Sequence, residues 1–334
     1  MPPSLRSCLP LLLLAAAALP GCFVTRAVGL THPGANEAVK TDTPEEMYAK
    51  AQNAYAEQDW KTAAESFGML WKQNPKSGLA ADAQFYEAES RYGQGKLNGA
   101  FELYKRYLKN WPLSPHAPTI EKRIYEIGRR TIEAGQHGFL GIFNYADEGV
   151  DELDFLVSAF PHGDLADDAL LCVADYEWKS RQTKEAIGHL QDLIDDFPSS
   201  EWVLDARLRL ARAFREVNRG LDYDGDALKR SAAQYRAYVE IVAADRARAA
   251  EYAAQLDVAR AELAGVEEQL ARKGVASADF YLRAGNAEAA RAELKNVIRD
   301  YPRTQAAAEA QSRLGIEAAP EEPAPAPGQA SLLM

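Results

Sequence analysis

The chain has 334 residues, enough for a sizeable core, and its 47% hydrophobic and 26% charged content is that of an ordinary globular protein. A formal charge of −11 argues against a nucleic-acid partner, which would need a basic surface. The one long apolar run, Leu9 to Leu19, is too short for a permanent membrane span.

Arg6 precedes that run and small residues follow it, the layout of a secretory signal. The run closes on Leu19-Pro20-Gly21-Cys22, which resembles the bacterial lipoprotein box, where cleavage precedes a cysteine whose sulfur takes the lipid. On this reading residues 1–21 are a lipoprotein signal peptide, Cys22 is the lipid attachment site, and residues 22–42 form a flexible polar tether. The alternative is an ordinary secretory signal in which Cys22 is incidental. Phe23 stands where, by analogy with lipoproteins, an aspartate would retain the protein in the inner membrane. The implied address is therefore the outer membrane, lipid-anchored on its periplasmic face. Buried acyl carbons at about 0.8 kcal/mol per CH₂ would supply that anchor. With Cys8 lost and Cys22 lipidated, Cys172 is left without a partner for a disulfide and reads as a small buried apolar side chain.

Thr43-Pro44-Glu45-Glu46 has the capping-box spacing with proline at the first helical position, and opens the helical part of the chain. One spacing then recurs: a small residue, a large apolar residue four later, another three later, and a proline five after that. It reads Ala63-Phe67-Leu70-Pro75, Ala100-Tyr104-Tyr107-Pro112, Gly149-Leu153-Leu156-Pro161, Ala186-Leu190-Leu193-Pro198 and Ala290-Leu294-Val297-Pro302. Steps of four and three put these residues on one helical stripe, and the proline ends the helix. In four instances another alanine stands twelve residues earlier (Ala51, Ala88, Ala174, Ala278), where a methyl lets two antiparallel helices approach closely. Turn residues lie between the paired alanines: Glu57-Gln58-Asp59, Gly93-Gln94-Gly95, Arg181-Gln182 and Gly285-Asn286. Ser77, Ser114, Ser200 and Thr304 are placed to cap the helix after each proline.

The unit resembles the tetratricopeptide repeat, a helix-turn-helix of about 34 residues. The fold class expected is all-α, a solenoid of about six such helix pairs over residues 43–315. A Pro/Ala/Glu-rich disordered tail is expected over 316–334. The 49 residues from Pro112 to Pro161 mark an irregular third unit, and the 104 from Pro198 to Pro302 leave room for two units, the first irregular. That fifth unit needs a chain reversal near Ala243 to Asp245, or else carries one very long projecting helix. We expect the turn, followed by one long helix from about Asp245 to Ala284 despite Gly274 within it.

Chemistry is sparse. His32, His116, His137, His162 and His189 have no metal-ligand partner at helical spacing and read as surface or loop residues. Asp222 to Asp226 lacks the glutamate of a calcium loop, with Ala233 in its place, and Gly135 to Gly141 lacks the lysine of a phosphate loop. The expectation is no enzyme and no cofactor. A metal-assisted hydrolase using His137 or His162 would need stoichiometric metal, and none is expected.

Three segments carry a narrower resemblance. Glu46-Met47-Tyr48 through Asp59-Trp60-Lys61-Thr62-Ala63-Ala64-Glu65-Ser66-Phe67 resembles the first repeat of outer-membrane-assembly lipoproteins of the BamD type. Gly138-Phe139-Leu140-Gly141 is similar to a stretch of that family's third repeat, and Ala276 to Thr304 to its late repeat. The resemblance implies a non-catalytic periplasmic scaffold. Its implied partners are a barrel-assembly outer-membrane protein and unfolded segments of outer-membrane proteins, held on concave and edge surfaces. Relative to the family, the chain reads as carrying an extra pair around 166–245 and a shortened last repeat, with Ala284 and Glu293 where arginines are common. The other reading open here is a periplasmic adaptor for cell-division, secretion or peptidoglycan-associated partners. Among the aromatics that could line a peptide groove, Tyr48, Tyr55, Trp60, Phe280 and Tyr281 are the candidate partner-binding residues.

Overall fold

The computed structural model describes residues 42–136, 146–217 and 225–315. Cys22, the signal and tether, the tail, the 138–141 stretch, His32, His137 and all but the end of the Asp222 to Asp226 loop lie outside the described residues. Among the described residues there are fourteen helices and no strand. They run α1 (Pro44–Ala56), α2 (Trp60–Gln73), α3 (Ala80–Gly93), α4 (Leu97–Asn110), α5 (Ala117–Gln136), α6 (Ala146–Ala159) and α7 (Ala166–Lys179). Then follow α8 (Thr183–Asp196), α9 (Val203–Val217), α10 (Gly225–Ala244), α11 (Arg246–Glu251), α12 (Ala253–Arg283), α13 (Ala287–Asp300) and α14 (Gln305–Leu314). Consecutive helices pack as six pairs, α1–α2, α3–α4, α5–α6, α7–α8, α9–α10 and α12–α13, with α11 as a connector and α14 closing the array.

The recurrent spacing is the core. Ala51, Ala88, Ala174 and Ala278 and their partners Ala63, Ala100, Ala186 and Ala290 are at most 2% exposed. The apolar residues four and seven later, from Phe67 and Leu70 to Leu294 and Val297, are buried in every instance. Each such side chain contributes about 1.5–3 kcal/mol through its removal from water.

Four of the pairs turn the same way. A left-handed residue stands at Gln58, Gly95, Arg181 and Gly285, with φ of 60°, 73°, 63° and 77°. Glycine takes this conformation freely, whereas glutamine and arginine hold it under strain. The residue before each proline leaves the helix. Asn74, Trp111, Phe197 and Tyr301 have φ between −135° and −123° and ψ between 53° and 65°. Its carbonyl accepts from the residue three on, in five like turns: Ser77, Ser114, Gly163, Ser200 and Thr304 donate at 2.9–3.2 Å. This turn displaces the expected caps. Ser77, Ser114 and Ser200 accept from the amides of Leu79, His116 and Trp202, ahead of the helix, so they stabilise the turn instead. Only Thr304 caps its helix, accepting from Ala307 at 3.1 Å.

The fifth unit reverses at Asp245, whose carboxylate caps α11 through the amides of Ala247 and Arg248. The long helix then starts at Ala253 and not at Asp245, because the chain breaks again at Tyr252 (φ −100°, ψ 21°). Gly274 has a packing reason to interrupt it. A Cβ there would lie 2.4 Å from Val297 Cγ2, so the glycine lets α13 close on α12.

Candidate interaction surface

The first helices of successive pairs are joined by polar side chains, and these joints repeat at one sequence distance. His116 bonds Asp82 at 3.0 Å, Arg123 bonds Glu89 at 3.1 Å, Tyr92 donates to Glu126 at 2.7 Å, and the Trp202 indole donates to Asp168 at 3.0 Å. Arg313 bonds Asp279 at 2.6 Å, and Arg209 pairs with Asp175. Every one of these pairs is 34 residues apart, although Pro75 to Pro112 and Pro161 to Pro198 are 37. A side chain therefore reaches the neighbouring helix about one turn ahead of its own counterpart.

Arg123, Arg209 and Arg313 each stand eleven residues after a repeat-closing proline, and each grips a carboxylate of the preceding first helix. Tyr86 and Cys172 hold the same place in the intervening units, where the residues 34 earlier, Gln52 and Gly138, are not acids. A search of the sequence for catalytic or ligand clusters misses this pattern. The signal is an acid paired with a base at a fixed repeat distance, legible once that distance is known.

The strongest joint is the second. Glu89, 7% exposed, takes Arg123 and the Tyr104 hydroxyl, while Arg123 lies 4.4 Å from the Tyr92 ring centre. The Glu89 carboxylate raises the Arg123 pKa, and burial followed by Glu89 raises that of Tyr104. Two histidines depart from the surface reading. His116 stacks on Phe85 at 3.9 Å, and His189 lies between Glu177 at 2.8 Å and Asp154 at 3.2 Å. Burial alone would lower the His189 pKa, but the two carboxylates outweigh it and push it up to about 10, so it is a cation at neutral pH.

The five candidate aromatics divide. Tyr55 meets Trp60, Tyr86 and Phe67 edge-on at 5.1, 5.2 and 6.4 Å, and Tyr48 meets Phe67 at 5.6 Å. The Trp60 ring fills the space a Cβ would need at Gly93, 2.7 Å away. These three cement the first two pairs. Tyr281 packs half-buried on the last core cluster, edge-on to Phe280 at 5.7 Å. Phe280 itself is 60% exposed, the one candidate left largely to solvent.

Among the described residues, no group of three His, Cys, Asp or Glu side chains could hold a metal ion, and no helix is long and apolar enough to cross a membrane. Cys172 is half-buried, and burial raises its pKa, away from a reactive thiolate.

Comparison with known proteins follows the same lines. A tetratricopeptide repeat is matched over residues 276–304. No curated protein sequence matches the chain. A tetratricopeptide repeat protein from Parabacteroides merdae is 15% identical over 76% of this chain and 91% of its own, with a TM-score of 0.33. The C-terminal part of another repeat protein, from Cytophaga hutchinsonii, is 14% identical over 82% and 90%, with a TM-score of 0.35. Superpositions this loose carry no argument about architecture or role. The YfiO family, described as outer membrane lipoprotein, matches residues 40–242. What falls between the two matches is 243–275, which holds α11 and most of α12. The family match spans more than half of the 334 residues, and this protein belongs to that outer membrane lipoprotein family.

Proposed function

We propose that the protein is a non-catalytic, lipid-anchored scaffold on the periplasmic face of the outer membrane that serves the assembly of β-barrel proteins. The family match over residues 40–242 carries the reading. The Leu19-to-Cys22 box supports it, with Cys22 as the anchored residue. The partners this reading assigns are a barrel-assembly outer-membrane protein and unfolded outer-membrane-protein segments. Phe280 and Tyr281 provide the candidate contact, while Tyr48, Tyr55 and Trp60 shape the first two pairs.

The test is purification of the tagged full chain from its own envelope in mild detergent, with mass spectrometry of the proteins recovered. A barrel-assembly protein should come with it, and Cys22→Ser should release the chain from the membrane fraction. Recovery of wall or division proteins alone would replace this reading with that of a periplasmic adaptor.

A further inference from the structure

A notch of ≈ 200 Å³ opens where α9, α10 and the start of α12 meet. Leu208 and Arg212 of α9, one turn apart, form one wall, and Ala254, Gln255 and Val258 of α12 form the other. Tyr235 is the one α10 residue on the lining, so its ring reaches across from the helix behind and its far end makes the floor. The side chain is buried, and its hydroxyl has no hydrogen-bond partner. A buried phenol normally finds one, and an unpaired hydroxyl at the floor of a cavity is a bond left for an occupant. The mouth is positive. Arg209 pairs with both Asp175 and Asp205, which leaves the exposed Arg212 with no ion-pair partner among the described residues. Burial first, and then the neighbouring Arg212 charge, lower the Arg209 pKa. Beside them α12 begins at Ala253 with no side-chain cap, and the start of a helix favours an anion.

We infer that this notch binds a small organic acid, with its carboxylate at the Arg212 mouth, a short apolar body between the walls, and a hydrogen-bonding oxygen on the Tyr235 floor. The volume lies below the roughly 300–1,000 Å³ of pockets for larger ligands, which leaves room for one ring with a short acidic arm. Leu208 and Val258 give that ring apolar sides, and covering the half-exposed Val258 removes it from water. The Arg212 guanidinium presents a fork that a carboxylate meets with two hydrogen bonds. A cationic ligand would meet Arg212 and the helix start head-on. An acid without the second oxygen would leave the Tyr235 hydroxyl unpaired. The α12 wall falls in 243–275, so the notch is completed by a stretch that lies between the two matched segments.

The experiment titrates the full lipidated chain in mild detergent with 4-hydroxyphenylacetate and with phenylacetate, and reads binding by isothermal titration calorimetry. 4-Hydroxyphenylacetate should bind saturably at one site per chain, about fivefold tighter than phenylacetate. Tyr235→Phe should bring the two probes level. Tyr238→Phe removes the other unpaired phenol of α10, which does not line the notch, and should leave the preference intact. Arg212→Gln should weaken both probes about tenfold. Val258→Trp, at an exposed position, should fill the notch and abolish binding of both, with circular dichroism unchanged. No saturable binding, binding that survives Val258→Trp, or affinities indifferent to Tyr235→Phe and Arg212→Gln would overturn the inference. None of these outcomes touches the scaffold reading, which purification from the envelope tests separately.

Discussion

Glu152 is a buried carboxyl with a built-in pH dependence. It lies on α6 at 4% exposure, and its Oε2 has no hydrogen-bond partner among the described residues. Burial is the main cause that pushes its pKa up, to about 7. The Thr131 hydroxyl opposes this, and the charges of Glu148, Asp151 and Glu102 add to the rise. Below its ordinary value of 4.5 the group is protonated in folded and unfolded chains alike, and no stability depends on it. Between 4.5 and about 7 the folded chain keeps a proton that the unfolded chain releases, so stability falls as pH rises, and above 7 the loss is complete. At 1.36 kcal/mol per unit the full shift amounts to about 3 kcal/mol. Glu152→Gln removes the titration and keeps the shape. Any cost of the buried amide is the same at every pH and cancels in the comparison. Opening free energies from hydrogen exchange, read on peptides from α5 and α6 at pH 5 and pH 8.5, should show the variant gaining about 2–3 kcal/mol on the parent between the two. Parallel behaviour of the two proteins would refute the reasoning, and a gain of the opposite sign would mean that the carboxylate is held by a cation.

Three further outcomes follow from the geometry, each read by urea or thermal unfolding. Gln58→Gly and Arg181→Gly should each stabilise by about 0.5–1 kcal/mol by relieving a left-handed backbone, and Gly285→Ala should cost about 1 kcal/mol. Arg123→Ala strands the buried Glu89 and should cost about 2–3 kcal/mol, while Arg313→Ala, on a pair 35% and 41% exposed, should cost under about 1 kcal/mol. Gly149→Ala would drive a Cβ to 2.7 Å from the Gly128 carbonyl and should cost about 2–3 kcal/mol, whereas Gly188→Ala, with open space around it on α8, should gain about 1 kcal/mol.

The repeat was legible because its signals are local. A proline stops a helix wherever it stands, and two alanines twelve residues apart mark a close crossing without reference to the rest of the chain. The serines after the prolines misled for a related reason. A hydroxyl three residues before a helix satisfies a turn more readily than a cap, and only the backbone of the turn decides between them. The carboxylates gripped by Arg123, Arg209 and Arg313 needed knowledge of the stagger between neighbouring helices, which no single repeat contains. For the aromatics the deciding fact was coverage. Tyr55 is enclosed by Trp60 and Tyr86, whereas Phe280 lies past the point where α10 begins.

α12 is also a mechanical element. The other helices of the array run 6 to 20 residues. Here a single rod of 31 residues, about 46 Å long, belongs to two packing clusters, gripped by α10 near its start and by α13 and α14 near its end. A force applied at Phe280 is delivered to Tyr235 and Tyr238 as a lever delivers it, with no joint to absorb the motion. The last pair and the fifth unit must therefore tilt together, and whatever seats itself at one end sets the angle of the other.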